Sequence, residues 1–161
     1  MGGVYKRRGI RAGRTDQDEV ELERQEREHR KKINGEFRDF CRLAQDTHMM
    51  KYEKPERSLG FYGVPERANM LIMPTVNCLV ALTEIPFFVV SLADIDLFHF
   101  ERVNYTSKSF DIALIFKDLT TWKRISNVPV DSLEMLKNWI TEKELIFTES
   151  AINMNWTNTL A

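Results

Sequence analysis

The residues with the most chemistry to offer in this chain are three histidines and two cysteines, and their spacing gives them little to do together. His29 lies in a run of charged residues, His48 in a polar stretch, and His99 between two phenylalanines. No two of them are placed to share a metal ion, and Cys41 and Cys78 stand too far apart in sequence for a Cys-x-x-Cys pattern. Two thiols build neither a disulfide framework nor a four-thiolate zinc site, so a reducing compartment is expected. On a strand, Ile95, Leu97 and His99 would share one side, which makes His99 a half-buried structural residue rather than a ligand or a base.

Catalytic patterns are missing too. There is no Gly-x-Ser-x-Gly, no His-Glu-x-x-His and no glycine-rich phosphate loop, and only seven glycines stand in 161 residues. Asp94 and Asp96 fall two residues apart, a spacing that suits paired carboxylates of an acid–base site. At a tight connection between strands, however, acids usually serve as turn formers. No enzyme activity, no cofactor and no metal are expected.

Two apolar groupings suggest contact rather than chemistry. Met49, Met50, Met70 and Met73 either fill a core or line an adaptable surface, since thioethers repack easily. Phe87 and Phe88 follow Pro86. Adjacent strand residues point to opposite faces, so one ring goes in and one out, and an outward Phe88 would mark a contact surface.

The elements that hold these residues follow from charge and periodicity. The chain carries 23 Lys+Arg against 24 Asp+Glu, a net charge of -1, and 43% hydrophobic residues, which suits one domain plus an appendage. No run reaches the roughly 18 apolar residues of a membrane span, and the first ten residues lack a signal core, so a soluble intracellular protein is expected. Residues 1 to 14 form a basic arm, with Lys6, Arg7, Arg8, Arg11 and Arg14 and no acid. It reads either as a solvated linker or as a segment for contact with nucleic acid.

Residues 15 to 46 read as one charged helix, with ten acids and seven bases from Asp16 to Asp46, acids crowding the first turns and Thr15 as N-cap. Glu23 with Arg27, Glu26 with Arg30 and Glu28 with Lys32 are spaced to pair. Ile33, Phe37, Phe40, Cys41 and Ala44 form an apolar stripe that should dock, while the first half projects into water. The charged face reads as a solvated face or as a partner-binding rod. Residues 47 to 57 are a polar connector.

From Ser58 the pattern turns to period two. Strands are predicted at 70–73, 78–82, 87–92, 95–103, 110–116 and 122–128, with short connections that call for an antiparallel meander. A short strand at 145–147 follows. Between them, Asp131 is the candidate N-cap of a helix running to about Lys143, with Leu133, Leu136, Trp139 and Ile140 on one stripe. The predicted fold is a mostly β, α+β antiparallel barrel or sandwich of about seven strands, plugged by that helix. Within it, Glu101 and Arg102 are expected to be structural, an outward side chain pairing across to Lys108 or Asp111.

An ordered series of segments gives the chain a family likeness. Gly63-Val64-Pro65-Glu66-Arg67, Pro74-Thr75, Pro86-Phe87-Phe88-Val89-Val90, His99-Phe100-Glu101-Arg102-Val103, Phe110-Asp111, Phe116-Lys117-Asp118, Val128-Pro129-Val130 and Asn155-Trp156-Thr157 follow one another as in the middle domain of the large subunit of the FACT histone chaperone. The resemblance covers residues 18 to 157. The chain departs from that family at Glu149-Ser150-Ala151, where Glu-Gly-Pro is usual, and over its last four residues.

This resemblance implies a tandem of pleckstrin-homology-like modules. Residues 58 to 149 would be the second, the charged helix the end of the first or a link, and residues 150 to 161 a helical turn-back. It implies histone binding during nucleosome disassembly and reassembly in transcription, replication and repair, in the nucleus on chromatin. Partners would be core histones, as dimer or tetramer, and a smaller FACT subunit met through regions outside these residues. Met154, Asn155, Trp156 and Thr157 would contact a histone dimer; the alternative is that Trp156 packs back onto the barrel. Pleckstrin-like barrels also read phosphoinositides, the competing function, but that needs several bases on the first hairpin. Between Arg67 and Arg102 the chain has no Lys or Arg, so no membrane partner is expected.

Overall fold

The computed structural model describes residues 16–104 and 106–160, and the chain divides into two units, Met1–Tyr52 and Glu53–Ala161. The expected Thr15 cap and the basic arm lie outside the described residues.

The first unit is helix α1, Asp16–His48. Absence of proline and a single glycine permit its length. Of the expected pairs, Glu26–Arg30 is formed at 3.4 Å, joined by Arg24–Glu28 at 3.2 Å and Lys32–Glu36 at 3.9 Å. All are solvent-exposed and contribute a few tenths of a kcal/mol each. Ile33, Phe37 and Phe40 of the apolar stripe are exposed, with the two phenyl rings 6.2 Å apart.

The second unit begins with a clamp. Glu53 accepts from the Thr75 hydroxyl at 2.5 Å, from the Asn77 backbone N–H at 3.0 Å and from the Asn77 amide, which fastens the incoming chain to a hairpin turn. These hydrogen bonds, led by the one from Thr75, hold its carboxyl below the usual range. Eight strands follow: β1 (Phe61–Gly63), β2 (Met70–Pro74), β3 (Cys78–Ala81), β4 (Phe88–Ser91), β5 (Ile95–Glu101), β6 (Ser109–Phe116), β7 (Trp122–Pro129) and β8 (Phe147–Glu149). They form two four-stranded sheets, ordered β1-β2-β3-β4 and β7-β6-β5-β8.

Strand β1 is too short to show a period in sequence, yet it closes one corner of the barrel. Val64 and Ser126 exchange backbone hydrogen bonds of 2.8 and 2.9 Å, tying the chain after β1 to β7. Gly63 permits that approach: a Cβ there would fall 2.6 Å from Ile125 Cγ2. Strand β8 breaks the antiparallel pattern by pairing parallel to β5, Phe98 opposite Phe147.

Between the sheets lie Ile72, Leu79, Phe98, Phe100, Ile112, Leu114 and Ile125, each at most 2% exposed. Helix α2, Leu133–Glu142, plugs the core with Leu133, Leu136, Trp139 and Ile140, all buried. Trp139 meets Phe98 edge-on, centroids 6.2 Å apart, a favoured aromatic geometry. The start of this helix differs from expectation. Asp131 sits in a 3-10 turn, Val130–Ser132, and Ser132 holds the N-cap position with no side-chain cap bond, because the chain leaves β7 through a tight turn before the α-helix begins.

The register settles which phenylalanine turns inward and corrects the face of Ile95. Phe88 is the buried ring, at 2% exposure, and Phe87 the outward one, at 59%. A register shift between Ile95 and Leu97 puts Ile95 into the central core while Leu97 joins the opposite face of the sheet. Period-two reasoning fails across a bulge, since one extra residue exchanges the faces. The four methionines also separate: Met70 is buried, while Met49 and Met50 are exposed.

Candidate functional site

The outer face of the second sheet is where the polar residues singled out in the sequence meet. After the bulge, Leu97, His99 and Glu101 of β5 face outward; beside them stand Asp111, Ala113 and Ile115 of β6, then Trp122 and Arg124 of β7. An outward sheet face is normally wet. Here Ala113 is fully buried and Ile115 is 2% exposed, because the chain after β8 folds back over them. Trp156, Met154 and Leu160 pack onto Leu97, Ala113, Ile115 and Trp122 as a second, smaller core.

Glu101 holds that cover in place. Its side chain is fully buried, and Oε1 accepts from the Trp156 indole N–H at 2.8 Å, from the Met154 backbone N–H at 2.9 Å and from Arg124 Nη2 at 3.3 Å. Arg124 Nη2 also lies 2.9 Å from Oε2 and donates to the Met154 carbonyl at 3.2 Å. A carboxylate out of water requires both a counter-charge and donors. Arg124 supplies the charge, its guanidinium 5.0 Å from the Trp122 ring centroid, and the C-terminal segment supplies the donors. The expected pairing across to Asp111 is made by Arg102, while Glu101, on the outer face, is buried beneath the tail and takes Arg124 as its partner.

Directly opposite Glu101 in the ladder is Asp111. Two facing carboxylates would repel, and Asp111 is neutralised separately: Arg102 donates from Nε at 2.9 Å and from Nη2 at 2.6 Å, and the Asn127 backbone N–H donates at 2.9 Å. Hydrogen bonding to Asp111 holds the Arg102 guanidinium above its ordinary value. Arg102 and Asn127 both have left-handed backbones, φ 60 and 57, so Asp111 ties down the bend after β5 and the irregularity within β7, where the register to β6 shifts.

His99 completes the arrangement. Its Nδ1 lies 2.6 Å from Thr148 Oγ1 and its Nε2 3.0 Å from Ser150 Oγ, with the ring centroid 5.1 Å from that of Trp156. Ser150 spends its hydroxyl hydrogen on the Ile152 carbonyl at 2.6 Å. Nε2 therefore carries the proton and donates to Ser150, leaving Nδ1 to accept from Thr148. Burial pulls this imidazole below its ordinary value, opposed by the Glu101 charge. The arrangement is structural, a neutral histidine bridging β5 to Thr148 of β8 and to Ser150 just after it.

Helix α3, Trp156–Thr159, is one turn long, with Asn155 as N-cap accepting from the Asn158 N–H at 3.3 Å. Of the four candidate contact residues, Trp156 is 6% exposed and Met154 half-buried, whereas Asn155 and Thr157 are exposed. Trp156 does not stand out as a flat anchor; its ring is spent against the sheet. Of the structural candidates, Trp139, Leu133 and Leu136 lie in the central core, and Glu101 and Arg102 in the polar network. Sequence reasoning missed Arg124 as the counter-charge and Ala113 as the space the indole fills. The available signal was the indole N–H itself, a donor that must find a partner once buried.

Among the described residues no group of His, Cys, Asp or Glu could hold a metal ion, and no helix is long and apolar enough to cross a membrane.

Comparison with known proteins bears on the same regions. The family model for the histone chaperone Rttp106-like middle domain matches residues 62–149, and that for the FACT complex subunit SPT16 PH-like domain matches residues 3–44. The chain is similar to the FACT complex subunit SPT16 of Arabidopsis thaliana, 38% identical over 165 residues, covering 97% of this chain and 15% of that protein. It is 39% identical over 144 residues to the subunit of Kluyveromyces lactis and 38% identical over 146 residues to spt-16 of Caenorhabditis elegans, each time covering 88% of this chain and 14% of the relative. The chain thus spans only 14–15% of the length of these relatives.

Proposed function

We propose, for a chain that belongs to the Rttp106-like middle-domain family of histone chaperones, a role as the histone-binding middle module of a FACT large subunit, acting in nucleosome disassembly and reassembly on chromatin in the nucleus. The observation that carries this reading is the family match over residues 62–149, which runs from β1 through β8. The match of residues 3–44 to a second PH-like family supports taking α1 as the end of a preceding module of the same kind. The partners are core histones, as dimer or tetramer, with the smaller FACT subunit met elsewhere and nucleic acid approached by the basic arm.

Charge supports the reading. Residues 58–161 carry eight bases and twelve acids, so a strongly basic histone is attracted at long range, which sets rate and salt dependence more than affinity. Affinity must come from a few anchors. The Glu101 network holds the turn-back rigidly, and it presents the Asn155 and Thr157 side chains to solvent on a fixed one-turn helix. These two, rather than the Trp156 ring, are the recognition residues we assign.

The test is binding of the whole chain to fluorescently labelled histone dimers and tetramers at two salt concentrations. Saturable binding that weakens with salt is the expected result, and the double variant Asn155→Ser/Thr157→Ala, in which the serine keeps a capping oxygen for the Asn158 N–H, should bind less tightly with little change in melting temperature. No binding to either histone species at low salt would refute the reading.

A further inference from the structure

The two sheets treat their outer faces differently. That of the second is covered by the chain's own C-terminus; that of the first keeps large apolar side chains in water at the β3–β4 hairpin. In this hairpin Val80 pairs with Val89 and Ala81 with Phe88. Continuing the register by one pair sets Leu82 opposite Phe87 on the outward side, next to Val89. Leu82, Phe87 and Val89 are 51%, 59% and 53% exposed, and Ile85 at the loop between the strands is 86% exposed. Four large apolar residues on one hairpin form a contiguous patch of the sort that marks an interaction site.

Its charge surroundings select the occupant. From residue 68 to residue 101 there is no Lys or Arg; from β7, Lys123 reaches the hairpin on its inward ring, Nζ 5.5 Å from the Phe88 centroid. Glu66 and Glu84 line a cleft of about 330 Å³ with Ile85 and Pro86, where Arg67 is the one base. Neither glutamate has an ion-pair partner among the described residues. A purely apolar partner would strip water from these carboxylates without replacing it. A second copy of the hairpin would set glutamate against glutamate across a two-fold axis, and an anionic membrane would be repelled. What fits is a protein segment whose Lys or Arg side chains flank an apolar anchor.

We infer that the hairpin patch of Leu82, Ile85, Phe87 and Val89, with Glu66 and Glu84, is a second histone-docking surface, separate from the C-terminal turn-back. The inference rests on the histone-binding reading and adds to it a place and a chemistry: apolar side chains of the partner seat on Ile85 and Phe87, and its basic residues meet the two glutamates.

Two variants of the whole chain separate the contributions. Ile85→Ser/Phe87→Ser removes exposed side chains, and Glu66→Lys/Glu84→Lys reverses unpaired charges; thermal melts check that each stays folded. Against labelled histone dimers and tetramers, the first should weaken binding on the order of tenfold or more at either salt concentration. The second should weaken it chiefly at low salt and flatten the salt dependence. If the unaltered chain binds histones and both variants bind equally well, the docking surface is wrong while the histone-binding reading stands. If the unaltered chain binds no histone, that reading fails and takes this one with it. Should sedimentation show a dimer that Ile85→Ser/Phe87→Ser converts to monomer with histone affinity unchanged, the patch is a self-association surface and the inference is overturned.

Discussion

Trp156 donates its indole N–H to Glu101 over 2.8 Å although 55 residues separate them. Through this bond the last turn of the described chain is fixed to the middle of the second sheet, on the face away from the barrel core. Trp156→Ala removes a buried ring and leaves Glu101 with fewer donors, and a loss of about 3–5 kcal/mol is expected in urea melts. Trp156→Phe keeps most of the packing and loses the N–H, for about 1–3 kcal/mol. If both variants melt like the unaltered protein, the tail is not held by this contact. A fold-neutral Trp156→Ala that abolished histone binding would restore the ring to the interface.

The Arg102–Asp111 pair gives a second expectation. Asp111 is buried while Arg102 remains about a third exposed, so Arg102→Ala should cost about 1.5–3 kcal/mol. Asp111→Ala should cost more, because it also deprives the Asn127 N–H of its acceptor. Chemical denaturation of both variants checks the order. Loss of histone binding by Arg102→Ala without any change in melting would reassign the residue to the interface.

How much of this was legible in the sequence depended on whether the signal was local. Strands β2 to β7 and the stripe Leu133, Leu136, Trp139, Ile140 follow from periodicity, because each pattern is repeated within a few residues of itself. Strand β1 offers three residues, and the short strand expected at 145–147 lies instead at Phe147–Glu149, because β8 takes its place from pairing with β5, more than forty residues earlier. The bulge after Ile95 carries no signature in composition, yet it decides that His99 and Glu101 lie beneath the C-terminal segment. Glu101 looked like an ordinary strand carboxylate, since its partners Arg124, Met154 and Trp156 are brought to it only by the fold. That Phe87 and Phe88 alternate follows from strand geometry; which one turns inward is set by the register of Ala81 with Phe88.

Helix α2 should behave as a plug and not as a surface decoration. Trp139 is 3% exposed and edge-on to Phe98. Trp139→Ala is expected to cost about 3–5 kcal/mol, with loss of near-ultraviolet circular dichroism ahead of the far-ultraviolet signal if the barrel loosens. A cost below about 1 kcal/mol, the range of surface substitutions, would show the helix to be peripheral.

The last expectation is a pH dependence with a defined sign. His99 is held below its ordinary value of 6.5, first by burial, with the Glu101 charge opposing. In the window below 6.5 the unfolded chain therefore takes up a proton that the folded chain resists, and the unfolded state binds more protons. Stability then rises with pH through that window: the contribution of neutral His99 is fully present above 6.5 and is lost as pH falls toward the folded-state value. The proton already on Nε2 is committed to Ser150, so the incoming one must go to Nδ1, where it breaks the hydrogen bond accepted from Thr148. Urea melts from pH 7.5 down to pH 5 should show stability falling in the unaltered protein and falling less in His99→Gln. Trp156 fluorescence should shift over the same range, because the imidazole lies 5.1 Å from the indole. Equal slopes for the two proteins would mean that His99 does not titrate on unfolding in this window and that the bridge from β5 to the tail is indifferent to pH.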